Sequence, residues 1–289
     1  MEIHSLPGNE FTSRMLSVMK TRAGRADPAS TMRRYRTDRF VKAPVVSGAA
    51  MRRVEEAMIA ALPPGASEVA LAPLVPFGSH AAVAGVDQNR IVSTVRGSEV
   101  AADPTFGLAL ELAQRRSELL ASAPRDATAM TAIAFQRVVR AQRFEGPRSF
   151  AHFVLGGLVT AGRDVGDHGF ETDSVTIHVR HAVSSLLGVG ADGVTVVLSD
   201  FTGGRLGHVA ERVEGLGVPG VNVVVDPDRT RARSYYTDYA IEVTARFGDV
   251  ELEVGDGGLV DWSQKLLANG KERMMTSGLS VERIAMVVS

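Results

Sequence analysis

The sequence predicts an α+β fold built on a mainly antiparallel sheet. Short apolar runs of strand type cluster in the second half of the chain, and the helix-period runs among them do not alternate regularly with the strands. At 289 residues with 45% hydrophobic content, the chain is long enough to bury one large core. Lys+Arg 32 nearly cancel Asp+Glu 33, so no global field argues for nucleic acid, membrane or an acidic partner. The absence of cysteine removes disulfides, thiolate metal sites and a cysteine nucleophile, and suits a reducing compartment. Met1 to Met15 lack the apolar stretch of a signal peptide and no segment is apolar enough to span a bilayer, so a cytoplasmic protein is expected.

Residues 1–46 read as a basic N-terminal arm and residues 47–289 as the core. From Arg14 to Lys42 the basic side chains, densest at Arg33, Arg34, Arg36 and Arg39, face only Asp27 and Asp38. The arm either meets phosphate or packs on its own core or a second copy. A helix begins near Ser47, because Met51, Val54, Met58 and Leu62 recur at helical spacing, and Pro63-Pro64-Gly65 stops it. Glu68 to Ala72 and Arg90 to Val95 read as strands. Asp103 is placed to cap a helix opened by Pro104 and continued through Phe106, Leu108 and Leu112. Ala132 to Arg140 and Phe150 to Ala161 read as paired strands joined by the polar loop from Gln142 to Ser149. Thr172-Asp173 caps a helix whose Val175, Val179, Val183 and Leu186 share a face. Val194 to Leu198 and Val221 to Val225 are strands with a helix through Val209 and Val213 between them. The remainder gives strands over Tyr235 to Thr244, Val250 to Val254 and Met274 to Val288, interrupted by a helix from Asp261 to Ala268.

No metal site is expected. His178 and His181 stand three apart on a helix, but no third ligand follows at a zinc-site distance, so they read as solvated. Thr202-Gly203-Gly204-Arg205-Leu206-Gly207 is followed by His208-Val209, where a phosphate loop needs Lys-Ser/Thr.

Three ordered segments resemble class II aminoacyl-tRNA synthetases of the histidyl type. Arg140-Ala141-Gln142-Arg143, followed by Glu145-Gly146-Pro147-Arg148, is similar to the second class II motif. Arg231-Ala232-Arg233-Ser234-Tyr235-Tyr236-Thr237-Asp238 resembles the histidyl signature R-G-L-D-Y-Y-T-G, and Gly255 to Asp261 falls where that family has G-G-R-Y-D. Gly278-Leu279-Ser280-Val281-Glu282-Arg283 is similar to the third motif. The resemblance implies a class II synthetase-like antiparallel sheet flanked by helices, and a homodimer meeting near Pro73. It also implies a cleft that takes ATP, Mg2+ and a small acid.

By that resemblance Arg140 holds the α-phosphate and the substrate carboxylate, Arg231 acts on the α-phosphate, and Arg283 clamps the γ-phosphate and stacks on adenine. Gln142, Arg148 and Ser280 complete the ATP-binding set. Glu99, Leu155, Val159, Tyr235, Tyr236 and Asp256 fall at substrate-binding positions. For several of these a structural reading stands beside the functional one: a surface carboxylate for Glu99, and packing for one of the two tyrosines, which as strand neighbours face opposite ways. The sequence also departs from the histidyl pattern. Leu155 and Val159 replace the glutamine and glutamate that read imidazole, and an apolar pocket selects against histidine. His152 reads as a core or surface histidine. Gln142 replaces a glutamate, and Ser280 a glycine. A tRNA-gripping insertion is reduced to Phe201 to Asp228, and the chain stops shortly after Arg283, so tRNA charging is not expected.

Two functions follow. One is activation of a small amino or carboxylic acid as its adenylate, with acyl transfer to a non-tRNA acceptor in specialised metabolism. The other is that of a non-catalytic regulatory subunit of ATP phosphoribosyltransferase, which resembles the same core. An RNA-binding role for the basic arm is a weaker third reading.

Overall fold

A computed structural model describes residues 5–142, 150–204, 207–215, 220–233 and 235–288. In chain order its elements begin with helices α1 (Gly8–Ala23), α2 (Pro28–Thr37) and α3 (Gly48–Ala60). Short strands β1 (Ser67–Glu68) and β2 (Leu74–Pro76), helix α4 (Ser79–Ala84) and strand β3 (Ser98–Val100) follow. The body comprises α5 (Pro104–Ser122), β4 (Met130–Val139), β5 (His152–Arg163), α6 (Gly169–Gly188), β6 (Gly193–Asp200), α7 (Gly207–Glu214) and β7 (Val221–Val225). It closes with β8 (Tyr239–Phe247), β9 (Val250–Val260), α8 (Trp262–Leu267), β10 (Glu272–Ser280) and α9 (Val281–Ala285).

The main sheet has the order β1-β4-β5-β10-β9-β8-β6-β7. Its two outermost pairings, β1 with β4 and β6 with β7, are parallel, and the pairings between them are antiparallel. One face is covered by α3, α6, α7 and α9, with Val54, Met58, Val179, Leu186, Leu198 and Ile241 in a shared apolar cluster. On the other face α5 and α8 bring Phe106, Leu108, Leu112 and Trp262 over Val159 and Ala161. A fully buried ion pair, Arg116 Nε to Glu272 Oε2 at 2.8 Å, ties α5 to β10. No helix of the described residues is long and apolar enough to cross a membrane.

Both expected caps close their helices: Ser47 accepts from the Ala50 N–H and Asp103 from the Thr105 N–H. Elsewhere the elements differ from expectation. Residues 8–37 carry two helices, the second opened by a capping box between Asp27 and Ser30, and neither helix buries a residue. The strand expected at Glu68 to Ala72 is reduced to Ser67–Glu68. Arg90 to Val95 is not a strand; Gln88–Arg90 forms one tight turn of helix, and only Ser93 bridges to Glu99. Helix α6 starts at Gly169, ahead of Thr172-Asp173, because His168 adopts a left-handed conformation with φ 52°. The strand expected from Tyr235 begins at Tyr239, since Tyr235 and Tyr236 both donate their N–H to the Ala232 carbonyl in a turn. Met274 to Val288 is a strand only as far as Ser280, whose hydroxyl caps α9, so Arg283 rides on a helix rather than in a strand. The loop between β4 and β5 from Arg143 to Ser149, with Arg148, lies outside the described residues.

Candidate functional site

A cleft of about 260 Å³ opens over β5, β10 and β9. Its floor is set by Gly278, which pairs with Gly157 of β5 and Asp256 of β9. A Cβ at Gly278 would meet the Gly156 carbonyl at an ordinary contact distance of 3.9 Å, without a clash. Gly258, by contrast, is required by close approach: a Cβ there would come within 2.6 Å of the Tyr236 ring and 2.5 Å of the Tyr239 carbonyl. Missing side chains therefore make both the room in the cleft and the seat for one of its tyrosines.

Arg140, Arg231 and Arg283 line this one cleft. Arg140, at the end of β4, donates to the Ala102 carbonyl at 3.1 Å and to Asp103 Oδ2 at 3.1 Å, and its guanidinium lies 5.1 Å from the centre of the Phe153 ring. Arg231 makes a two-pronged ion pair with Glu253, and Glu242 lies 3.8 Å away. The Arg231 hydrogen bond holds the Glu253 carboxyl below its ordinary range although burial opposes this, and the same contact raises the Arg231 pKa. Arg283 donates to the Glu253 backbone carbonyl at 3.2 Å and has no carboxylate partner among the described residues. Its helix is held down by the buried Glu282, which accepts from the Val154 N–H at 3.0 Å and from Arg137 at 3.0 Å.

Asp256 also faces the cleft and forms no ion pair among the described residues. Burial raises its pKa and the Asp103 charge adds to this, while Arg140, Arg229 and the Tyr236 hydroxyl act in the opposite sense. Tyr235 and Tyr236 stand edge to face at 5.0 Å, and Tyr235 meets Trp262 in the same manner at 5.6 Å. Burial, with Asp103 and Asp256 nearby, pushes both phenols well above their usual pKa, so they remain neutral hydrogen-bond donors.

Eight of the residues singled out in the sequence converge here: Arg140, Leu155, Arg231, Tyr235, Tyr236, Asp256, Ser280 and Arg283. The tyrosines correct an expectation, since a turn rather than a strand carries them and both line the cleft. Gln142 is not among the lining residues. Glu99 is neither a cleft acid nor a surface carboxylate. It is fully buried and accepts from the Gly78 N–H, the His80 N–H and Gln88 Nε2, with His80 Nδ1 at 2.6 Å. Burial opposes its ionisation, but these hydrogen bonds outweigh it and bring the pKa to about 2. Val159 is fully buried beneath α5, because Pro104 and Thr105 close over the strand at Gly157. His178 and His181 are buried, not solvated: His178 joins Thr160 at 3.0 Å to Ser277 at 2.7 Å, and His181 bonds the Met58 carbonyl at 2.9 Å. His152 is half-buried between Arg137 and the Lys42 carbonyl.

Sequence reasoning missed Glu253, Thr276 and Phe153 as lining residues and foresaw Asp103 only as a cap. Glu253 and Asp256 are three apart and belong on opposite faces of a regular strand. The register of β9 against β8 slips between Val243 and Thr244, opposite Val254, and this bulge turns both carboxylates into the cleft.

This fold is that of the class II aminoacyl-tRNA synthetase catalytic core: an antiparallel sheet flanked by helices. Among solved structures it resembles histidyl-tRNA synthetases. A structure from Bacillus halodurans described as an ATP phosphoribosyltransferase regulatory subunit/histidyl-tRNA synthetase superposes with a TM-score of 0.63 at 11% identity, covering 83% of this chain and 79% of that one. The apo histidyl-tRNA synthetase of S. aureus gives 0.63 at 13% identity over 86% of this chain and 70% of that one. A histidine–tRNA ligase subunit from Alicyclobacillus acidocaldarius gives 0.58 at 15% identity over 86% and 97%. No protein-family model and no curated protein sequence matches the chain. At these identities the likeness establishes the fold alone.

Proposed function

We propose that the cleft binds ATP with a small amino or carboxylic acid and joins them as an acyl-adenylate, which passes its acyl group to a non-tRNA acceptor such as an amine, thiol or carrier and releases AMP. The observation that carries this reading is the convergence of Arg140, Arg231 and Arg283 over one antiparallel floor. In the first step the acid's carboxylate oxygen forms a bond to the α-phosphorus while the bridging bond to the β-phosphate breaks and pyrophosphate leaves. Charge gathers on the phosphate oxygens as this happens, and guanidinium groups that never lose their proton are suited to offset it. Arg283, whose side chain bonds just the Glu253 carbonyl among the described residues, is placed to turn onto phosphate. Arg140 and Arg231 are preset by Asp103 and Glu253, so little reorganisation accompanies binding. Mg2+ carried on the triphosphate would offset part of its charge, and Glu253 would supply a carboxylate to it only by giving up part of its pairing with Arg231. A cytoplasmic homodimer meeting near Pro73 belongs to the same reading.

One observation favours a second reading, the non-catalytic regulatory subunit. Two of the three cations are already neutralised by carboxylates, which suits a cleft that senses a small ligand without transferring phosphate. Exchange of pyrophosphate into ATP separates the two. The adenylation reading expects exchange that depends on an added acid and is lost in Arg283→Ala. A protein that fails to bind ATP at millimolar concentration is instead a regulatory one.

A further inference from the structure

Residues 1–46 carry nine basic side chains against four acidic ones in a chain of net charge −1, so the rest of the molecule is acidic. Arg14 is paired with Glu10 and Arg34 with Asp38, which leaves Lys20, Arg22, Arg25, Arg33, Arg36 and Lys42 without a carboxylate partner among the described residues. The same stretch concentrates exposed apolar surface. Of the fourteen large apolar side chains exposed among the described residues, seven fall between Val18 and Val45, whereas the other seven are spread over residues 59–286 on several elements. In α1, Phe11, Met15 and Val18 recur at helical spacing with Met19 beside them, and in α2 Met32 and Tyr35 share a side. Apolar side chains left in water cost free energy, and cations set among them favour a surface that is apolar within and negative at its boundary. Two other occupants fit less well. A nucleic acid would use the cations and stack on Tyr35 and Phe40, but it offers Val18, Met19, Met32 and Val41 nothing to enter. The arm of a second copy carries the same unpaired cations and would repel this one. At its base the arm is fastened to the core, where Arg39 donates to the carbonyls of Ala141 and Gln142 and His152 Nε2 to the Lys42 carbonyl. A surface that takes up α1 and α2 therefore holds the core beside it.

We propose that the arm is a peripheral anchor for an anionic lipid bilayer. Val18, Met19, Met32 and Val41 enter the boundary of the acyl chains, and the unpaired cations meet the lipid phosphates. The acidic remainder of the chain is repelled by the same surface and stays in the water. None of this depends on the chemistry of the cleft. The test is co-sedimentation of the full chain with vesicles of phosphatidylcholine alone, or of equal parts phosphatidylcholine and phosphatidylglycerol. Partition onto the mixed vesicles is expected to exceed that onto the neutral ones about tenfold or more, and to fall as salt is raised. Val18→Ser with Met19→Ser leaves every charge in place and is expected to weaken binding to the mixed vesicles about tenfold, and Arg33→Glu with Arg36→Glu to abolish it. Should the first pair fail to give a cooperative melt, Met32→Ser with Val41→Ser is read in the same way. No sedimentation with either vesicle, equal partition onto both, or binding indifferent to the serine substitutions overturns the proposal. So does single-stranded RNA binding more tightly per phosphate than the mixed vesicles, which would make the arm a nucleic-acid site. Dissociation of a dimer by the serine substitutions, read by light scattering, overturns it in favour of a second copy.

Discussion

His178 is enclosed between α6 and the sheet, and a hydrogen-bonded chain runs from Thr131 through Thr160 and His178 to Ser277. Burial, and then the charge of His181, pushes its pKa from 6.5 to about 3. Well above pH 6.5 neither the native nor the unfolded chain is protonated at this ring, so it contributes no pH dependence there. As pH falls from 6.5 towards 3 the unfolded state takes up a proton that the native state refuses, and stability declines by up to about 1.4 kcal/mol per pH unit. Urea titrations across that window are expected to show the decline, and His178→Gln to remove much of it. At the cleft, Arg283→Lys keeps the charge but loses the planar fork. On the adenylation reading this weakens ATP binding about tenfold by calorimetry with little change in melting temperature.

At the level of elements, the cleft depends on how α9 and β10 are fixed. Glu282 holds α9 to β5 through the Val154 N–H and Arg137, and both its oxygens are out of reach of water. Glu282→Ala leaves a strand N–H unsatisfied and a guanidinium unpaired, which is expected to cost about 2–4 kcal/mol by urea unfolding. Its close neighbour in sequence, Gly278, makes the opposite test. An added methyl meets no backbone or side chain at clashing distance, so Gly278→Ala is expected to melt within a few degrees of wild type. On the adenylation reading the same methyl narrows the cleft at its floor and is expected to weaken binding of the small acid, which calorimetry on the two proteins compares directly.

Across the whole molecule, the two packed faces of the sheet hold the apolar clusters, and α1 and α2 contribute no buried residue to them. Just after α2, Arg39 donates to the carbonyls of Ala141 and Gln142 and so ties the arm to the core. A chain lacking residues 1–46 is therefore expected to fold and to melt within about 3 °C of the full protein in calorimetric scans. A larger loss would mean that the two helices are held by something beyond these contacts, such as a second copy of the chain.

The sequence by itself determined the order of the main elements, the caps at Ser47 and Asp103, and the set of arginines that meet in one cleft. Each of these is written in local chemistry: a period of apolar residues, a capping side chain, or a cation at a motif position. Only the tertiary structure decided which surfaces are covered. Leu155 and Val159 share a face of β5, yet α5 closes over Gly157, so one lines the cleft and the other is core. Other elements likewise covered Glu99, beneath the segment from Gly78 to Gln88, and the histidines of α6, which in sequence looked solvated, and a bulge at Val254 brought Glu253 round to Arg231. Periodicity fixes where a side chain points from its own element, whereas burial and pairing depend on what another element lays over it.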